Sequence, residues 1–105
     1  MNEITIKLDS SNVSNISYSI YYLDLIAGSF SVMVSDMNHL SDIFIERKFR
    51  RRGIGKYILD LFKINKLHCT TWNESGISFY ESLGFKKNRS TSDIYLITFD
   101  KEIHV

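Results

Sequence analysis

The chain has 105 residues, 44% of them hydrophobic and 13% aromatic, and a formal net charge of +1. That length supports one hydrophobic core, hence a single domain over residues 1–105, and no apolar run approaches the roughly 18 residues a membrane span requires, so no membrane contact is expected. The polar opening Met1-Asn2-Glu3 is unlike a signal peptide, the lone Cys69 has no partner within the chain, and no Cys/His cluster has zinc-ligand spacing. A cytoplasmic protein without disulfide or metal is the expectation.

In chain order, Ile4, Ile6 and Leu8 alternate with Thr5 and Lys7, which predicts a first strand with one buried face. Ser10 to Asn15 is a turn by composition. Tyr18 to Leu23 and Leu25 to Val34 come next as a hairpin, with Asp24 the tight turn and Gly28 a bulge or a close backbone approach. The turn Ser35-Asp36-Met37-Asn38 leads into a strand from His39 to Glu46. Ile54, Ile58, Leu61 and Phe62 then recur at helical spacing, with Lys56, Asp60 and Lys63 on the other side, so an amphipathic helix is predicted with those four apolar residues inward. Leu67 to Trp72 is a short strand. Asn73 precedes a second helix that turns Phe79, Tyr80 and Leu83 inward and ends at Gly84 as a C-cap. Phe85 opens another strand, and Asp93 to Phe99 is the last, pairing antiparallel with its neighbour. The order β, β-β-β, α, β, α, β, β describes an α/β (α+β) domain with a mixed sheet and helices packed on it.

Five of the thirteen basic residues fall within six positions, Arg47, Lys48, Arg50, Arg51 and Arg52. A solvated loop, a nucleic-acid patch and a phosphate-bearing ligand all fit such a cluster. Its place in the chain favours the ligand, because Arg50-Arg51-Arg52-Gly53-Ile54-Gly55 joins a strand to the start of an amphipathic helix. The first turn of a helix has backbone N–H groups without partners, and its dipole favours an anion there by about 0.3–1 kcal/mol. Glycine at 53 and 55 lets a phosphate approach closely, and Arg50 to Arg52 with Lys56 add charge. A Gly-x-Gly pair alone is also ordinary tight-turn geometry, and the third glycine of a dinucleotide fingerprint is missing.

Two motifs in register narrow the choice. Ile43-x-Ile45-x-x-x-Phe49-Arg50-x-x-Gly53-Ile54-Gly55 resembles the acetyl-CoA motif of the GNAT superfamily of N-acetyltransferases. Asn73-x-x-Gly76-x-x-Phe79-Tyr80-Glu81-x-Leu83-Gly84-Phe85 is similar to a second stretch of that family, which has alanine where Gly76 stands; glycine there should weaken the helix slightly. The resemblance spans about Leu25 to Phe99. It implies a mixed, mostly antiparallel sheet of about six to seven strands with two main helices, and acetyl-CoA as co-substrate without a metal. It also implies that amides between Arg51 and Lys56 hold the pyrophosphate. The strand at Phe44 and Ile45 would meet the pantetheine arm and diverge from its neighbour just beyond, although Ile45 also reads as plain core. Tyr80 matches the family tyrosine that protonates or hydrogen-bonds the leaving thiolate, and equally suits a helix-face core position. Asn73 matches the family asparagine near the pantetheine, and also suits an N-cap. Some members carry a glutamate base at the position of His39; Asp42 and Glu46 are the alternatives. Cys69 reads as inert core.

The family usually has one or two helices between its first and second strands, and Asp9 to Ile16 leaves no room for them. The acceptor side is then open, unless a second copy covers it in a homodimer. An open side suits a protruding amine, above all a protein lysine. A silent CoA-binding or regulatory module is the alternative function, and a nucleic-acid binder using Arg50 to Arg52 ranks last.

Overall fold

The computed structural model describes residues 3–88 and 95–101. Strands β1 (Ile4–Ser11), β2 (Asn15–Tyr22), β3 (Leu25–Met33) and β4 (His39–Ile45) form an antiparallel meander. A short 3-10 turn at Arg47–Phe49 leads to helix α1 (Ile54–Leu61), then β5 (Lys66–Thr70), α2 (Glu74–Ser82), β6 (Lys86–Asn88) and β7 (Leu96–Asp100). The seven strands form one sheet in the order β1-β2-β3-β4-β5-β7-β6, and only β4 and β5 pair in parallel. The expected element order therefore holds. Met1 and Asn2, and Asp93 and Ile94 of the expected last strand, lie outside the described residues.

Local chemistry moves several boundaries. The first turn narrows to residues 12–14, because Asn12 Oδ1 accepts from the amides of Ser14 and Asn15, both at 2.8 Å, and frees Ser10, Ser11 and Asn15 to pair. The β2–β3 hairpin closes on Leu23 and Asp24, both left-handed at φ 51° and 65°, the arrangement whose twist matches the flanking strands. Gly28 fulfils both expectations. The register shifts beside it, and a Cβ there would overlap the carbonyl oxygen of Phe44 on β4. Strand β5 stops at Thr70, where the Asn73 amide bonds back to the Thr70 carbonyl, so Trp72 stands exposed.

Two expected inward residues face out. Leu8 pairs with Tyr18 on the apolar side of the edge strand β1, yet is 67% exposed. In α1, Leu59 is buried while Leu61 is 52% exposed. At about 100° per residue the buried arc centres on Ile58 and Phe62 and leaves Leu61 at its margin.

The core lies on one face of the sheet. Phe62 packs edge to face on Phe30 and Tyr18, with centroids 4.9 and 5.3 Å away, which seats α1 on the face bearing Phe30 and Val32. Val32 pairs with Leu40, Leu40 with Leu67 and Leu67 with Phe99, and Tyr80 of α2 meets Phe99 at 5.9 Å. Cross-strand partners share a face, so both helices cover the same side. The opposite side presents Thr5, Lys7, Ser17, Ser19, Ser29, Ser31, Asp42, His39, His68 and Thr98. β1 joins β2 directly, and no helix among the described residues lies on that polar face.

Candidate active site

Strands β4 and β5 pair only at His39 with Lys66 and Leu40 with Leu67. Beyond these pairs they diverge, and the β5 side of β4 has no strand partner among the described residues. A cavity of about 590 Å³ opens there, lined by Ile43, Phe44 and Ile45 of β4, Arg50, Arg51, Gly53, Ile54 and Gly55 at the start of α1, and Asn73, Phe79 and Tyr80 of the α2 segment. That volume falls within the usual range for small-molecule sites, about 300–1,000 Å³.

The loop into α1 is shaped by its own contacts. Arg50 Nε donates to the Ile45 carbonyl at 2.8 Å and its guanidinium lies 5.7 Å from the Phe44 ring centre, so Arg50 folds across the mouth of the cavity. Arg51 and Gly53 both have left-handed backbone, at φ 64° and 78°. Such a conformation costs a non-glycine residue about 1–2 kcal/mol, so Arg51 is held there against its preference. Gly53 caps α1 without a side-chain acceptor, and the first helical bond runs from the Tyr57 amide to the Gly53 carbonyl at 2.9 Å. Among the described residues, the amides of Ile54, Gly55 and Lys56 have no protein acceptor, and no acidic side chain stands in the first turn. A Cβ on Gly55 would stand 3.0 Å from Phe79 Cζ, so glycine there also lets α1 approach α2.

Not every predicted phosphate ligand gathers here. Arg52 lies 5.5 Å from the Tyr22 ring centre and Lys56 pairs with Asp60 at 2.8 Å, one turn along α1; neither lines the cavity. Arg50 to Arg52 therefore act as individuals, and only Arg50 and Arg51 reach the opening.

Asn73 caps α2, its Oδ1 accepting from the Gly76 amide at 3.1 Å, and it also lines the cavity, so both sequence expectations coincide. A Cβ on residue 76 would overlap the Asn73 side chain as it stands in the cap. The far end of α2 closes on Gly84 at φ 94°, where the Phe85 amide reaches the Tyr80 carbonyl and the Gly84 amide the Glu81 carbonyl, both at 3.1 Å. That double closure fixes Tyr80 one turn back.

Tyr80 is buried, yet its hydroxyl makes no hydrogen bond among the described residues and its oxygen is not sealed from solvent. Burial pushes its pKa up to about 12, helped by Cys69 on β5 and Asp42 on β4, the two strands that flank the gap. It is a neutral donor aimed at an opening. Burial likewise pushes the Cys69 thiol up, which keeps it protonated and unreactive.

His39 does not line the cavity. It sits at the closed end of the gap on the polar face, its Nε2 3.0 Å from Nδ1 of His68, with its pKa lowered by burial and by His68. Asp42 and Glu46 are exposed, and neither lines the cavity. Sequence reasoning missed His68: its place beside Leu67 is compatible with plain solvent exposure, and its partner lies 29 residues away.

Comparison with known proteins agrees with this geometry. Residues 16–87 match the family model described as an acetyltransferase (GNAT) domain. The fold is shared with a GNAT family acetyltransferase from Elizabethkingia anophelis solved with acetyl-CoA bound, at 16% identity and a TM-score of 0.67, over 98% of this chain and 100% of that one. An acetyltransferase from Bacillus subtilis in complex with CoA matches at 11% identity and a TM-score of 0.66, over 96% and 99% of the two chains. Arabidopsis thaliana Naa50, in complex with the bisubstrate analogue CoA-Ac-MVNAL, matches at 19% identity and a TM-score of 0.61, over 83% of this chain and 72% of its own. No helix among the described residues is long and apolar enough to cross a membrane, and they hold no group of three metal-binding side chains.

Proposed function

Because the chain belongs to the GNAT acetyltransferases, a family of acetyl-CoA-dependent acyltransferases, we propose that it transfers the acetyl group directly to a primary amine of a polypeptide, a lysine side chain foremost. The single observation that carries this reading is the gap between β4 and β5, which opens onto the unpartnered amides of α1 on one side and onto the polar face of the sheet on the other. A pyrophosphate suits the amides of Ile54, Gly55 and Lys56, with Arg51 beside it. The Ile45 carbonyl is engaged by Arg50 and the Phe44 carbonyl faces Gly28, so it is amide donors on the unpaired β5 side of β4 that suit a pantetheine arm and a thioester carbonyl, whose developing charge such donors stabilise. Asn73 keeps Nδ2 as a further donor, since only its Oδ1 is used by the cap.

Tyr80 suits the leaving sulfur as a hydrogen-bond donor more than as a full acid. Moving its proton from a phenol of pKa about 12 to a thiolate of pKa about 8.5 is uphill by about 5 kcal/mol, whereas donation without transfer carries no such penalty. The open face favours a polypeptide acceptor, because no helix among the described residues covers that side to enclose a small molecule.

The test pairs binding with turnover. Calorimetric titration with acetyl-CoA should release heat, and labelled acetyl-CoA should mark a lysine peptide with a blocked N-terminus. Heat without transfer to that peptide or to any amine of a panel would sink the reading.

A further inference from the structure

One contact on the polar face belongs neither to the cavity nor to the core. The rings of His39 and His68 meet edge to face, centroids 5.2 Å apart, with Nε2 of the first 3.0 Å from Nδ1 of the second. His39 pairs with Lys66, so His68 stands two residues further along β5, one pleat nearer the open end of the gap. Their neighbours Leu40 and Leu67 are buried under the helices, which turns both rings to the side from which an acceptor arrives. Asp42 and Phe44 continue that face along β4.

We propose that His68 takes the proton that the acceptor amine must lose, and that His39 is a positioning residue that fixes the His68 ring through Nδ1. The assignment rests on the acetyl transfer proposed for this chain. Strands β4 and β5 diverge beyond Leu40 and Leu67, so His68, the next residue of β5, stands beside the gap one pleat nearer its open end than His39, and a water carries the proton over the remaining span.

The step balances. An ammonium acceptor gives one N–H proton to His68, directly or through water, and becomes nucleophilic. Its lone pair forms the C–N bond at the thioester carbonyl as the C–S bond breaks, and the electron pair leaves on sulfur beside Tyr80. The product amide sheds its remaining extra proton, one proton goes to the thiolate, and one is released in all.

At His39, burial first and then the His68 ring and Lys66 on β5 oppose a positive ring, while Asp36 in the turn before β4 and Asp100 on β7 favour one. Two rings 3.0 Å apart oppose a second positive charge beside the first.

Two variants keep the hydrogen bond and remove the basicity, His68→Asn in place of Nδ1 and His39→Gln in place of Nε2. Each is assayed with a blocked lysine peptide, an ammonium at pH 7, and with trifluoroethylamine, which is largely neutral there. For His68→Asn, kcat/KM should fall about 10²-fold with the peptide but less than about threefold with the neutral amine. The acid-side bend of the wild-type pH profile should vanish, and acetyl-CoA binding should be unchanged by calorimetry. His39→Gln should move the bend and cost less. Equal losses with both amines, or none with the peptide, would overturn the role of His68 while transfer itself stands. A wild type that binds acetyl-CoA and acetylates neither amine would overturn the transfer reading as well.

Discussion

Tyr80 is where packing and chemistry meet in one residue. Its ring is held by Phe79, Phe85 and Phe99, and its hydroxyl is the part that packing does not use. Tyr80→Phe should therefore leave stability at neutral pH nearly unchanged while kcat falls about 10- to 100-fold, the worth of a hydrogen bond to a charged group; thermal unfolding and steady-state kinetics on one preparation check both halves. The raised pKa has its own signature. Above pH 10 the unfolded chain loses the phenolic proton and the folded one keeps it, so stability is full below pH 10 and declines as pH rises to about 12. The decline should amount to about 2–3 kcal/mol in denaturant titrations and be absent in Tyr80→Phe. Asn73 and Tyr80 were legible in the sequence because each sits inside a run whose neighbours fix its role. His68 was not, since a hydrogen bond between two parallel strands leaves no mark on either strand alone.

Strand β4 is the element on which the site turns. Its β3 side is pressed so close at Gly28 that no side chain fits, and its β5 side is released after Leu40. Gly28→Ala should push β4 away from β3, costing about 1–3 kcal/mol as overpacking does. For a domain of this size each kcal/mol shifts Tm by about 4–8 °C, so scanning calorimetry reads it directly. The order of strands and helices was readable from alternation and helical spacing. The face of α1 was misjudged at Leu61, because spacing defines an arc and only the packing of Phe62 against Tyr18 and Phe30 sets its centre.

At the scale of the whole molecule, the described residues form two layers, the sheet and one layer of helix. The wet side was not read from the sequence, because only the register aligns Ser17, Ser19, Ser29 and Ser31 across β2 and β3. In the proposed reaction that face is the acceptor's approach, so its charge should tune acceptor use without touching the cofactor side. Ser29, exposed and paired with Phe44, is the place to test it. Ser29→Lys should raise KM for a cationic peptide and Ser29→Glu lower it, each altering stability by no more than about 0.5 kcal/mol.

The short union of β4 with β5 also has a mechanical meaning. The meander and the β5-β7-β6 leaf are bound like pages along a spine of two residue pairs, with the helices as cover. A ligand arm laid into that fold would act as the missing stitch, and whatever holds it would be shared with the book as a whole: at a hundredfold excess over Kd, the binding would add about 2.7 kcal/mol to the cohesion of the two leaves.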